Sequence, residues 1–521
     1  MRLILVLLVA GVTGCAVGPN YHTPKLRTPD AYAAGTVTQA APASPGKPVP
    51  QVDLATWWLA LDDPELNSLV DRAIKSNPDV LIALDRLQAA REFEVGTFSA
   101  LLPDAEATAG AGKGTGSDIG RGRASQQLVS AETGTGFKQV NVLAGFDAVW
   151  QLDIFGKYRR EFEEARYNAQ AAAAARNGVL IAVIADVARA YVELRGFQTR
   201  SAVLHATIDV LQKSLDIVNE RYNRGITNEL DVTLAVRELN TLKAQVAPLD
   251  SQLEAAKYTI ATLLGQYPED LMKELGPTAM VPSVPSTIQS GVPVDLLRRR
   301  PDIEEAERQL AAANASIGVA EGSLFPQLAF TGAIGYQHQG LGTTPSMSQH
   351  IWAAGPAAYW PLLDFGALDA QVQVARLRTR AQLVNYKRTI QSAVQEVDTA
   401  VSNYSAQQSS LSSLGVALQA SQRAVMLANE RYDRGLTDFL NVVDAERQQY
   451  TIEDQYTQTQ VVACEQFIAL YRSLGGGWEN YQELPPISKP LPAVVAAFRS
   501  VLTRDDSLRD PDSIQLRGAT R

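Results

Sequence analysis

The sequence predicts a mainly α protein with a β membrane barrel. The chain reads as an internally duplicated protomer, three copies of which give a 12-stranded β-barrel continued by a long α-helical barrel. Three observations carry this reading: a duplication, paired amphipathic strands and very long helices. Asn219-Glu220-Arg221-Tyr222-Asn223-Arg224-Gly225-Ile226-Thr227 returns 210 positions later as Asn429-Glu430-Arg431-Tyr432-Asp433-Arg434-Gly435-Leu436-Thr437. The same shift lays Trp150, Phe155 and Gly156 on Trp360, Phe365 and Gly366. Asn77-Pro78-Asp79-Val80 and Leu102-Pro103 match Arg300-Pro301-Asp302-Ile303 and Phe325-Pro326 at a shift of 223, so the second copy has lost 13 residues between Pro326 and Trp360. A period this long is an internal duplication rather than a solenoid repeat.

The N-terminus is a secretory signal. Met1-Arg2 precedes the apolar run Leu3 to Val12 and then Thr13-Gly14-Cys15, too short a run for a spanning helix of about 20 residues. Val12-Thr13-Gly14-Cys15 is similar to a bacterial lipobox, in which Cys15 is lipidated and becomes the first mature residue; Ala16 after it favours the outer membrane. The one other cysteine, Cys464, then has no intrachain partner and no disulfide framework exists. The net charge of −9 argues against nucleic acid, which demands a basic face.

Residues 15–56 read as a lipid anchor and extended tether, rich in Ala, Pro, Gly, Thr and Gln from 28 to 52. A first repeat fills 57–283. Its helical pattern breaks before Pro103, and two strands are expected at about 103–112 and 140–151. In the second of these Val140, Val142, Ala144, Phe146, Ala148 and Trp150 share one face, and Ala105, Ala107, Ala109 and Ala111 alternate with Asp104, Glu106 and Thr108 in the first. The second repeat, 284–480, offers strands at about 326–338 and 350–361, with Pro356 an objection to a central position for the last. A helical hairpin closes each repeat, at about 156–265 and 366–475. Ile390, Val394, Val397, Val401 and Tyr404 form an a/d seam matched 210 positions earlier by Leu180, Ile184, Val187, Tyr191 and Leu194. About 66 residues of helix span roughly 100 Å. Each helix turns at Arg-Gly-[Ile/Leu]-Thr, where Asn228 or Asp438 can cap the returning helix. Residues 481–521 form a C-terminal tail.

Four strands cannot close a barrel, so their apolar face meets lipid or another subunit. Trp150, Tyr336, Tyr359 and Trp360 suit the aromatic girdle of a membrane barrel. No enzyme motif survives scrutiny. Gly110-Ala111-Gly112-Lys113-Gly114 lacks the spacing of a phosphate loop, and Asp364-Phe365-Gly366 has neither the catalytic loop nor the strand lysine of a kinase. His22, His205, His338 and His350 show no metal-ligand spacing, and the last two are expected on exposed loops. No catalytic residue, cofactor or metal is expected.

The chain resembles the TolC-like outer membrane factors, in the NodT-type lipoprotein branch of resistance–nodulation–division (RND) tripartite efflux systems. The residues that carry the resemblance are Cys15-Ala16-Val17-Gly18-Pro19-Asn20-Tyr21, Trp57-Trp58, Asp63-Pro64-Glu65-Leu66, Arg299-Arg300-Pro301-Asp302-Ile303, Leu363-Asp364-Phe365-Gly366 and the two Arg-Tyr-x-x-Gly turns. The resemblance implies a homotrimer in the outer membrane, lipid-anchored and barrel-inserted, extending into the periplasm. Its partners would be a periplasmic adaptor and an inner-membrane RND-type pump, for which it is a passive duct for small molecules. It also implies a periplasmic gate. Asp444-Ala445 falls on the family's narrowing acidic ring, with Leu440 and Arg447 on the same helical face, while a second family Asp falls on Asn441. The first copy holds Leu234 and Asp231 at these two places. Gly225, Ile226, Thr227, Gly435, Leu436 and Thr437 would be the adaptor-docking tips, six similar tips in a trimer. The rival reading is a periplasmic adaptor lipoprotein, but adaptors carry one hairpin between compact β domains, and this chain has two hairpins and paired amphipathic strands.

Overall fold

The computed structural model describes residues 16–26, 29, 33, 52–114, 139–285, 299–341 and 347–481. A 3-10 segment, Leu54–Leu61, leads into α1 (Pro64–Ser76) and α2 (Pro78–Ser99). Asp63 and Asn77 start these helices by accepting hydrogen bonds from the first free backbone amides, and a proline follows each as the first helical residue. Strands β1 (Asp104–Gly114) and β2 (Gln139–Leu152) precede the first hairpin, α3 (Lys157–Asn223) and α4 (Glu229–Leu263). The short α5 (Pro268–Leu271) and α6 (Pro301–Gly322) lead to β3 (Gln327–Leu341), β4 (Met347–Tyr359) and the second hairpin, α7 (Ala367–Asp433) and α8 (Phe439–Ser473). The two long helices have 67 residues each and the two returning helices 35 each, so the duplication is preserved to the residue. At 1.5 Å per residue each long helix measures about 100 Å.

The strands form one antiparallel sheet in the order β1-β2-β3-β4, with β1 and β4 at its edges. Pro356 lies on β4, opposite Phe330, at the edge of the protomer's own sheet. The strands start and stop within three residues of their expected limits. His338 and His350 lie on β3 and β4 rather than in loops: His338 meets the Ser348 hydroxyl at 2.7 Å, and the His350 ring packs edge-on to Tyr336. Opposed pairs confirm which residues share a face, because directly paired strand residues project to the same side. One face carries Ala107, Phe146, Ile334 and Trp352; the other carries Glu106, Asp147, Ala333 and Ala353.

The main hydrophobic core lies where the helices of both repeats meet. Trp57 stacks on Tyr471 at 6.0 Å and packs edge-on to Phe467, among buried Leu66, Leu69, Leu180, Ile184, Val397 and Tyr404. Polar clamps tie the connecting segment to the helices around that core. Arg195 on α3 bonds Glu65, Gln198 and the Pro277 carbonyl, and Arg300 bonds Asp302, Glu396 and the Ser473 carbonyl. Tyr404 donates to the Pro285 carbonyl and Cys464 to the Pro282 carbonyl. Burial pushes the Cys464 thiol up to about 12, so it stays protonated and unreactive. A second core, with Leu211, Leu215, Leu239, Phe439, Val442 and Val443, joins α8 to the first hairpin nearer the helical turns.

Candidate functional site: membrane sheet, helical turns and the start of α8

The apolar strand face is bare in the protomer. Phe146, Ile334 and Trp352 are each about two-thirds or more exposed on it, and none of these three was singled out as a girdle residue. The period-2 pattern held the signal for all of them, since Trp352 pairs with Ile334 and Ile334 with Phe146. Trp150 and Trp360 sit at the helix-proximal end, and their indole N–H groups donate to equivalent carbonyls, Leu101 at 3.2 Å and Leu324 at 3.1 Å. Tyr336 lies nine residues up β3 from Gln327. The span from Trp360 to Tyr336 is about ten residues, or roughly 25 Å at a barrel tilt, the height of an apolar membrane band. Tyr359 does not belong with them. It pairs with Gln327 on the opposite face, because adjacent strand residues point to opposite sides.

Cys15 lies outside the described residues, but the segment after it is pinned at the base of the sheet. The Val17 amide donates to the Phe155 carbonyl at 3.0 Å, and Ala16 packs so closely on Gly156 that a Cβ there would come within 2.5 Å of its Cα. Buried Arg160 holds the strap with bonds to the Val17 and Gly18 carbonyls and the Asn20 side chain.

At the far end the two turns share one backbone geometry. Gly225 and Gly435 take φ of 70° and 71°, and the amides of Ile226 and Leu436 each reach back 2.9 Å to the carbonyls of Arg221 and Arg431. That bond closes a Schellman motif, whose left-handed residue favours glycine. Arg224–Glu220 and Arg434–Glu430 pairs brace both turns. Thr227 donates to Asp231, whereas Asn441 donates to Thr437 at 2.8 Å, so the Asp-to-Asn difference between the copies reverses one hydrogen bond. Asn228 caps α4 through the Asp231 amide, but Asp438 makes no side-chain cap on α8. Ile226 and Leu436 are both exposed.

Leu440, Asp444 and Arg447 lie together on the exposed side of α8, and Arg447 donates to the Asp444 carboxylate at 2.6 Å. The opposite side of the same turn is buried against the first hairpin. There Glu446 is 6% exposed, with Oε1 accepting a long 3.4 Å bond from Ser214 and Oε2 without a partner. Burial, reinforced by the Glu238 carboxylate on α4, pushes the Glu446 carboxyl above the usual range. No residue pattern marks this pair, since a Glu in a helix reads as solvated. Farther up the same seam, Arg200 on α3 pairs with Asp454 at 2.6 Å and Tyr450 donates to Gln245. No His, Cys, Asp and Glu cluster of metal-binding geometry occurs among the described residues.

Known proteins share this architecture. The profile of the outer membrane efflux protein family matches residues 69–266 and 292–476. The chain is 29% identical to nodulation protein T of Rhizobium leguminosarum bv. trifolii, over 84% of this chain and 89% of that one. It is 30% identical to the solvent efflux pump outer membrane protein SrpC of Pseudomonas putida, over 81% and 87%. Among solved structures, the outer-membrane channel OprN aligns with a TM-score of 0.76 at 33% identity, over 89% of this chain and all of that one. The open-state MtrE outer membrane channel of Neisseria gonorrhoeae aligns at 0.73 and 25%, over 90% and all of that chain. With a bare apolar sheet at one end, matched helical hairpins at the other and the family profile covering both repeats, this chain belongs to the outer membrane efflux protein family, as an outer-membrane channel component of an efflux system that extends into the periplasm.

Proposed function

We propose that three copies of the chain close into a passive duct that carries small molecules outward from a periplasmic adaptor and an inner-membrane RND-type pump. The observation that carries this reading is the unfinished sheet. Among the described residues its edges β1 and β4 have no partner, and its apolar face is exposed. Exposed backbone edges are unsustainable in lipid, where each unpaired group costs several kcal/mol, so closure is obligatory. Twelve strands around an axis satisfy both demands, with Trp150, Tyr336 and Trp360 at the girdles and Trp352 in the band between. The detergent-extracted protein is expected to sediment as a trimer in the outer-membrane fraction; a stable monomer with a short, non-membrane adaptor-like distribution would overturn the reading.

Within that duct, Cys15 carries the lipid at the membrane boundary, one residue before the strap that packs on Gly156. Residues 1–14 are the signal peptide, 15–56 the anchor and tether, 57–283 and 284–480 the two repeats, and 481–521 the tail. The tips Gly225-Ile226-Thr227 and Gly435-Leu436-Thr437 dock the adaptor, whose sixfold ring of hairpins would see six nearly equal turns. Leu440, Asp444 and Arg447 gate the periplasmic end. Three carboxylates about 6 Å apart repel by roughly 3 kcal/mol per pair at an effective dielectric of 20, before salt screening. The Arg447 guanidinium beside each Asp444 offsets that repulsion. Because substrate choice needs a shaped pocket, and a duct has only a polar wall, specificity belongs to the pump.

A further inference from the structure

The protomer carries a template for the seam it would form with its neighbour. The two shifts that relate the repeats act on the sheet as well as on the sequence. Moving β1 forward by 223 residues and β2 forward by 210 turns the observed pair Asp104↔Val149 into Gln327↔Tyr359, which is the observed pairing of β3 with β4. The mapping therefore reproduces a register it was not built from. It also reproduces side-chain contacts, since the Trp150 bond to Leu101 becomes the Trp360 bond to Leu324.

Resting on the trimeric reading above, we infer that β4 pairs with β1 of a second copy of this chain in one fixed register, with Tyr359 opposite Thr108 of the partner subunit and Ala358 opposite Ala109 of the partner subunit. The step is the same mapping applied to the β2–β3 junction. There Val149 pairs with Thr331 and Ala148 with Gly332. Advancing the β2 member by 210 and setting the β3 member back by 223 gives the two inferred pairs. Faces agree without adjustment. Tyr359 shares the side of Gln327 while Thr108 bonds Asp147 on that same side, and Ala358 shares the side of Leu328 with Ala109 on the apolar face. A slip of one residue would set apolar side chains against the polar face along the whole edge.

Surfaces beyond the sheet complete the same junction. Phe155 stacks on Phe325 at 4.7 Å at the end of β2, whereas its equivalent Phe365 is 97% exposed with φ of 51°. The mapped partner of Phe365 is Leu102 of the partner subunit. On α3, Ile181, Ala185 and Val192 are buried on the helix side that carries Gly196, which meets the Val461 side chain of α8. Their equivalents on α7, Gln391, Gln395 and Ser402, are exposed, which leaves that strip open to α4 of the partner subunit.

The test is paired cysteine substitution in the full-length protein in outer membranes. Tyr359→Cys with Thr108→Cys probes the polar face, and Ala358→Cys with Ala109→Cys the apolar face; one of these is a non-hydrogen-bonded pair, where Cβ atoms approach most closely. Tyr359→Cys combined with Glu106→Cys or Gly110→Cys displaces the register by two residues. About tenfold more disulfide-linked dimer and trimer is expected for an in-register pair than for the displaced ones, because opposed Cβ atoms lie about 5 Å apart and diagonal ones about 7 Å. Equal or greater linkage in a displaced pair overturns the register. A trimer by native mass without linkage in either in-register pair overturns the seam while leaving the trimer standing, and a monomer in every variant overturns the trimeric reading itself.

Discussion

Two acidic residues two positions apart on α8 face opposite ways and are expected to behave oppositely. Asp444 is exposed and paired with Arg447, an arrangement that at a surface contributes only about 0.5 kcal/mol per pair. In the proposed duct its effect would come instead from three copies meeting near an axis. Asp444→Ala removes the acidic ring and the partner of Arg447 together, so single-channel conductance in planar bilayers is expected to rise and cation preference to fall. Arg447→Ala is expected to loosen the tip while retaining more cation preference; unchanged conductance and selectivity in both variants would return Asp444 to a solvated helix face. Glu446 is buried, half-satisfied and opposed by Glu238. A carboxyl whose folded value is raised adds stability below its unfolded value, and that stability is lost as pH rises through the folded one. The wild-type protein is therefore expected to weaken along the α8 seam as pH climbs from about 4.3, the ordinary glutamate value. Glu446→Gln should flatten that dependence and gain about 1 kcal/mol at neutral pH by ending the burial of a half-bonded charge. Thermal unfolding of the detergent-solubilised protein across pH 4 to 8 measures it, and a variant that keeps the wild-type slope assigns the titration elsewhere.

At the scale of elements, turn chemistry and periodicity did most of the specifying. The helix-ending glycines and the a/d seam of α3 and α7 are legible because each is set by a local rule of backbone geometry, whereas the break between α1 and α2 at Asn77-Pro78 lies inside what reads as one helical pattern. What escaped depended on contacts between elements. The cap expected from Asp438 is absent even though Asn228 makes its counterpart, and at the second start Asn441 bonds Thr437 instead. Tyr359 reads as a girdle residue by its neighbourhood to Trp360, but one residue along a strand reverses the face. The seam of Arg200–Asp454, Tyr450–Gln245 and Glu446–Ser214 joins residues more than 200 positions apart, beyond any local signal. The matched turns give an element-level prediction. A Cβ at Gly225 or Gly435 would meet open space, so Ala costs only the left-handed conformation, about 1 kcal/mol per site, and should leave a trimer. Gly225→Asp with Gly435→Asp adds three charges to each half of the docking ring. Efflux in cells is expected to fail while the trimer survives, and wild-type efflux from that double variant would show that the tips do not dock the adaptor.

For the whole molecule the question is what holds the duct in place, the lipid or the protein. The strap behind Cys15 is fixed by buried Arg160, by the Val17 amide on Phe155 and by the close approach of Gly18 to Gly318, where a Cβ would come within 2.5 Å of a Cα. An acyl chain on Cys15 would thus enter the membrane at the foot of the barrel without any reach from a flexible tether. The lipid of a lipobox cysteine holds the chain to one leaflet, at about 0.8 kcal/mol per buried methylene, whereas a closed barrel with an apolar band about 25 Å tall spans the bilayer. The proposed anchor would therefore matter before the barrel exists, by keeping an unassembled protomer at the membrane. Cys15→Ser is expected to block lipid-linked processing and to lower the yield of assembled protein severalfold. The protein that does assemble should keep its trimer and its single-channel conductance. Mass spectrometry of the mature N-terminus checks the modification, and native electrophoresis of the Cys15→Ser protein checks the trimer. A free amine at any residue other than Cys15 in the wild type would end the lipoprotein claim. A Cys15→Ser protein that reaches the membrane only as monomer would instead make the lipid part of what holds the duct together.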